Sequence, residues 1–300
     1  MPGGLRRPVR LVTDSTADLP PELASELDIT IVPLSVIFGA ESFRDGVDLT
    51  SEDFFRRLAE ASELPTTSQP SVGEFQSTYE QLAEKTDRLL SIHVSSRFSG
   101  TAEAARQAAA ALSDRCRIEV LDSGTISMAM GFAVLAAARA ARQGGDLDEC
   151  AEAARSVLRR HRLAVALDTL EYLRRGGRIG RAQAFLGGLL RLKPILTIRD
   201  GEAHPLARVR THQKALERML EICLDNSGRL SEAAVMHANN AADAEFLARE
   251  IERIRPGTPV HVGRVGPVIG VHGGPGIVGI TVVMENEEGA QPGLEGADAP

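Results

Sequence analysis

From residue 9 to residue 143 the chain alternates short apolar, β-branched runs with longer segments of helical composition. Residues 9–13 form the first run. A cap-rich stretch follows, Asp14-Ser15-Thr16-Ala17-Asp18-Leu19-Pro20, and a helix is predicted from about Pro21. Residues 29–38, 88–94 and 117–121 read as further strands; residues 51–61 (capped by Ser51), 101–112 and 126–143 read as helices. Strands separated by helices are joined by crossovers, which leave them parallel and covered on their faces. The expectation is an α/β fold: a mostly parallel sheet with flanking helices in an N-terminal lobe, residues 8–165.

The remainder has a different rhythm. A helix over 148–160 precedes a basic, glycine-rich segment, Arg174-Arg175-Gly176-Gly177-Arg178-Ile179-Gly180-Arg181. Residues 193–198 are apolar and β-branched, and Asp200-Gly201-Glu202 reads as a hairpin-type turn. Helices are predicted over 211–223 and 241–252, and strands over 233–237, 259–262, 268–271 and 277–284. This pattern predicts a smaller α/β or α+β C-terminal lobe, residues 166–285; 300 residues is long for one core, which also favours two lobes. Residues 286–300 are acidic, rich in Gly and Pro, and carry nothing to bury, so a disordered tail is expected.

Composition removes several classes of function. A net charge of -7 repels nucleic acid, and the absence of Trp leaves few platforms for stacking bases. Cys116, Cys150 and Cys223 are odd in number, widely spaced and form no CxxC, so they are expected to be reduced, buried thiols of a cytoplasmic protein. No apolar leader follows Arg6 and Arg7, and the most apolar helix candidate, 126–138, is shorter than the roughly 20 residues a bilayer needs. No metal-ligand spacing is present, so neither a metal nor a cofactor is expected.

Four segments could carry chemistry. In Thr66-Thr67-Ser68-Gln69-Pro70-Ser71-Val72-Gly73-Glu74, Ser71 and Glu74 form a capping box, and Pro70 holds the preceding hydroxyls extended. The stretch either only caps a helix or aims a polar loop at a helix N-terminus, where anions are stabilised. Ser95-Ser96-Arg97-Phe98-Ser99-Gly100-Thr101 sits between a strand and a helix, where α/β proteins bind ligands; a plain cap is the alternative. It is neither a P-loop nor a nucleophile elbow. His272-Gly273-Gly274-Pro275-Gly276 begins a nominal GxGxxG, but an apolar β-branched run follows it, which excludes a dinucleotide site. A tight turn presenting one imidazole remains, structural or able to donate to a carboxylate. Finally, Arg174, Arg175, Arg178, Arg181, Arg191, Lys193, Arg199, Arg208 and Arg210 face only Asp200 and Glu202 in sequence. That local reversal of sign is either a solvated loop or a dock for an anion or an acidic partner.

Six segments together resemble the DegV family in order and spacing: residues 12–20, 67–71, 95–101, 172–179, 193–196 and 272–276. The resemblance spans about residues 9–283. It implies a two-lobed DegV-like fold with a long-chain fatty acid in a buried tunnel within the N-terminal lobe. It further implies the lipid-binding subunit of a bacterial fatty acid kinase, not an enzyme alone. A separate ATP-binding subunit would convert the bound carboxylate to an acyl phosphate that feeds phospholipid synthesis. On this chain the resemblance implies that Thr67 and Ser99 hydrogen-bond the carboxylate, with His272 close to the same head group. Ser68, Ser96 and Gly100 fall in a secondary head-group loop, and Arg178, Arg208 and Arg210 face the kinase subunit. Transient membrane contact for lipid loading is the further partner expectation. Phe98 and Ala102 stand where members often carry Leu and Tyr.

Two other readings compete. One is a lipid-sensing interaction protein without phosphoryl transfer. The other is a serine hydrolase or thioesterase using Ser99 with His272, for which a third triad member is not evident.

Overall fold

The computed structural model describes residues 8–186, 192–225 and 228–285. Arg191 and the tail expected at 286–300 lie outside the described residues. The first part of the chain runs β1 (Arg10–Asp14), α1 (Pro21–Glu26), β2 (Ile29–Val32), β3 (Ser35–Phe38), β4 (Glu41–Arg44), α2 (Ser51–Glu60), β5 (Thr66–Ser68), α3 (Val72–Ala83), β6 (Arg88–His93), α4 (Thr101–Ala110), β7 (Arg117–Asp122), α5 (Ser127–Arg142) and α6 (Leu147–Arg160). The second runs β8 (His161–Ala166), α7 (Glu171–Arg175), β9 (Lys193–Arg199), β10 (Glu202–Val209), α8 (His212–Leu224), β11 (Leu230–His237), α9 (Ala241–Ile254), β12 (Val260–Arg264), α10 (Pro267–Gly273) and β13 (Val278–Met284).

The N-terminal sheet is parallel, in the order β2-β1-β6-β7. β1 and β6 are buried almost throughout, which is why they read as continuous apolar runs rather than alternating ones. On one face Phe75 and Tyr79 of α3 and the alanines of α4 pack on Val12 and Leu89. On the other face α5 presents Phe132, Ala133 and Leu135 among the residues that pack with Leu11, Leu90 and Ile92. α5 also touches β8 and β13, so it lies between the two lobes and is apolar nearly all round. The C-terminal sheet has the order β10-β9-β8-β13-β11-β12, in which only β11 and β12 pair in parallel. A small antiparallel sheet, β4-β3-β5, lies apart from both.

Several expectations need correction. Residues 29–38 are not one strand: Pro33 lacks a donor for the ladder, and the halves enter different sheets. Residues 268–271 are not a strand but the middle of α10. Pro267 at the first helical position presets the backbone, and a four-residue apolar run has no period to separate helix from strand. α2 is capped by Thr50, whose side chain accepts from the Asp53 N–H, rather than by Ser51. β8 pairs within the C-terminal sheet, so a boundary at 165/166 cuts through it and the sheets part at the α6–β8 junction. The capping box at Ser71 and Glu74 is present, and all three cysteines are free and buried.

One buried network fixes the end of β1. The Asp14 carboxylate accepts from the Thr16 N–H (3.1 Å), the Thr16 hydroxyl (2.5 Å) and the Val94 N–H (3.0 Å), and lies 3.0 Å from His93 Nδ1. The Tyr79 hydroxyl donates to Ser91 Oγ at 2.7 Å, and Ser91 Oγ lies 2.7 Å from His93 Nε2. The Asp14 carboxylate only accepts, so Nδ1 carries the proton that faces it, and in the neutral ring Nε2 then accepts from Ser91. Every donor in the chain therefore points toward one carboxylate.

Candidate functional site

A cavity of about 290 Å³ opens at the carboxyl ends of β1 and β6, where parallel sheets place their ligands. Its walls come from both lobes. Leu34, Val94 and Ile126 line it from the N-terminal side, and Val165, Leu196 and Ile198 from the C-terminal sheet. α10 adds Val268, Ile269 and His272. A tunnel was expected within the N-terminal lobe; this cavity is instead shared by both lobes, because β8, β9 and α10 supply part of its wall.

Several polar groups line this same cavity. β5 carries Thr67, whose Oγ1 lies 3.0 Å from His272 Nε2. Ser99 lines the same cavity, with its Oγ 2.8 Å from Thr101 Oγ1. Arg178 lines it too: its Nε donates to the Phe98 carbonyl (3.0 Å) and its Nη1 to the Gly176 carbonyl (2.7 Å). Burial, followed by the Arg178 charge, pushes the His272 imidazole down to about 4, so it is neutral near pH 7. Its Nδ1 is buried and has no hydrogen-bond partner among the described residues.

The glycine pair at 176 and 177 serves two purposes. Gly177 has a φ of +70°, which side-chain-bearing residues avoid. Gly176 has an ordinary φ of −72°, but a Cβ there would fall 2.3 Å from His272 Nδ1. Its missing side chain is the space the imidazole occupies.

The other end of α10 is held by carboxyl groups of the opposite lobe. Asp18 accepts the Gly266 N–H at 2.8 Å and the Ser127 hydroxyl at 2.5 Å. Buried Asp45 lies beside the Val268 N–H and the Ser15 hydroxyl, both of which favour its ionised form. Burial pushes both carboxyl groups from their ordinary 3.8 up to about 7. A folded-state value above the unfolded one means the folded chain holds the protons more tightly. The resulting stabilisation is complete below about pH 4 and is lost as the pH rises through about 7. Asp45→Asn should flatten that slope and raise the melting temperature at pH 8. Thermal unfolding from pH 5 to 8 checks this, and an unchanged slope would show that Asp45 is not the group involved.

The structure brings Thr67, Ser99, His272 and Ser68 to one cavity. It does not bring Ser96 there: that residue is exposed, and its N–H points at the Asp122 carboxylate. Arg178, expected to face a partner, is half-buried in the cavity wall because two backbone carbonyls fix its guanidinium. Arg208 and Arg210 are exposed, Arg208 lying 4.6 Å over the Phe185 ring. No hydrogen bond joins Ser99 to His272 among the described residues; each has a different hydroxyl partner, which disfavours a hydrolase pair. Thr16 and Gln69 also line the cavity. Both stand inside the conspicuous motifs, but nothing in their spacing separated them from their neighbours. No cluster of three or more His, Cys, Asp or Glu side chains among the described residues is placed to hold a metal ion.

Fold and cavity define the class: a two-lobed α/β protein with an apolar cavity built across the seam between its lobes. A family model described as uncharacterised protein, DegV family, matches residues 8–285. The chain belongs to the DegV family. It is 40% identical over 282 residues to a DegV domain-containing protein of Halalkalibacterium halodurans, covering 92% of this chain and 99% of that one. It is similar to the crystal structure of DegV from Bacillus subtilis, described as a fatty acid binding protein: TM-score 0.86, 35% identity, 93% of this chain and 100% of that one. A Thermus thermophilus DegV family protein, whose structure is described by its fatty acid binding, gives a TM-score of 0.85 at 34% identity with the same coverage.

Proposed function

We propose that this chain binds a long-chain fatty acid in the interlobe cavity and presents the carboxylate to a separate ATP-dependent kinase subunit. The product is an acyl phosphate destined for phospholipid synthesis, and the protein acts in the cytoplasm. The observation that carries the reading is the joining of one apolar cavity to one polar cluster, Thr67, Ser99, Arg178 and His272. Burial of about fourteen methylenes at roughly 0.8 kcal/mol each contributes on the order of 11 kcal/mol before ordering and association costs. The alkyl chain therefore supplies affinity, and the polar cluster sets which end faces out. Thr67 and Ser99 hydrogen-bond the carboxylate, neutral His272 offers one N–H, and Arg178 supplies the compensating charge. Hydroxyl donors leave a carboxylate oxygen free to attack a phosphoryl group. Arg208 and Arg210 remain for the partner, since exposed guanidinium groups suit an acidic surface or transferred phosphate. No nucleotide-binding motif was found in the sequence, so phosphoryl transfer is assigned to the second subunit.

Native mass spectrometry of the freshly purified protein, with extraction of any bound lipid, tests the core of this reading. A stoichiometric fatty acid is expected; protein that is empty and takes up no added fatty acid would refute it. The Thr67→Ala/Ser99→Ala variant tests the head-group assignment. Acyl-phosphate formation with the kinase subunit is expected to fall at least about tenfold, as for loss of hydrogen bonds to a charged group. Full activity of the double variant would remove both residues from the site.

A further inference from the structure

Gln69 lines the same cavity as the two hydroxyls assigned to the head group, two residues after Thr67 and packed against the residue that follows Ser99. Its backbone is restrained by buried Pro70 on one side and by β5 on the other. Its carboxamide covers Gly100 closely: a Cβ on Gly100 would fall 2.4 Å from Oε1, 3.0 Å from Nε2 and 3.1 Å from the amide carbon of Gln69. Gly100 itself has an ordinary backbone, φ −76° and ψ 12°, which any residue adopts. A side chain at 100 would therefore push the carboxamide out of this place rather than strain the backbone. No hydrogen bond from the Gln69 carboxamide to another group is formed among the described residues, so its two donors are available at the cavity rim.

We propose that Gln69 is a ligand-contacting residue of this site: its amide group donates a hydrogen bond to the ligand's carboxylate, and Gly100 is the seat that holds it there. The inference rests on the fatty-acid reading of the cavity and adds a neutral donor to the polar cluster. A neutral amide orients the head group without adding a second fixed charge beside Arg178. It also bridges β5 to the loop after β6, the two segments that carry Thr67 and Ser99.

The test is palmitate binding to the full chain by calorimetry. Gln69→Ala is expected to weaken binding about tenfold, the scale of one hydrogen bond to a charged group. Gly100→Ala is expected to cost as much by displacing the carboxamide, and the double variant no more than either alone. Gln69→Glu puts a second carboxylate at the head group. Its affinity is expected to fall further at about pH 8 and to recover toward about pH 5, as carboxyl groups protonate. That pH profile separates ligand contact from a merely structural role, because Gln69→Ala does not share it. Wild-type affinity for Gln69→Ala and Gln69→Glu across this range would overturn the inference and leave the fatty-acid reading standing. A wild-type chain that binds no palmitate would overturn both.

Discussion

Gly176→Ala is expected to remove most of the cavity's ligand affinity while the fold persists. The added methyl would lie 2.3 Å from His272 Nδ1 and 2.9 Å from Cε1, far inside contact distance, so something must move. The Tyr172 carbonyl, 3.1 Å away, is backbone of the first turn of α7, held by the Gly176 N–H, and resists displacement. The imidazole therefore swings away from Thr67, and the Thr67–His272 contact is broken. A loss of about ten- to a hundredfold in palmitate affinity is expected, comparable to that of His272→Ala. Combining Gly176→Ala with His272→Ala should add little, because both act through the same ring. Gly177→Ala provides the contrast: a φ of +70° strains any side-chain-bearing residue, so stability falls while His272 stays in place. Wild-type binding by a folded Gly176→Ala variant would show that the imidazole's position does not matter to the ligand.

Asp14→Ala is expected to be the most destabilising single change in the N-terminal lobe. The carboxylate is fully buried and receives two backbone N–H groups, a hydroxyl and an imidazole. Truncation leaves these donors in a site that excludes water, where each unsatisfied group is costly. A loss of about 3–5 kcal/mol is expected, the scale for removing one partner of a buried charged network. The unfolding midpoint in urea should fall with an unchanged slope. Tyr79→Phe, which removes only the first donor of the chain, should cost about 1 kcal/mol. A loss below about 1 kcal/mol in Asp14→Ala would mean that water or a shifted side chain takes over the donors.

What the sequence revealed depended on whether the cause was local. The parallel sheet was legible because buried strands and amphipathic helices leave opposite signatures at close range. The cap at Ser71 was legible because Glu74 stands three residues on. α10 was misread because its apolar run is too short to show a period, and its helical state is imposed by packing on α2, where Phe54 and Phe55 lie against Gly270. Thr67, Ser99 and His272 stand out in the sequence through motifs and a resemblance to a family, and all three line the one cavity. Their meeting across two lobes, and the burial of Arg178 among them, came from tertiary contacts between segments more than seventy residues apart. The reason for glycine at 176 was likewise invisible along the chain, since only the fold shows which ring needs the space.

Because neither sheet encloses the cavity by itself, whatever fills it acts as a rivet between two separately built halves. Loosening either half releases the contents, and the contents in turn fasten the halves together. An occupied chain should therefore melt later than an empty one, by an amount that grows with the concentration of free ligand. Resistance to heat or to protease then becomes a gauge of loading.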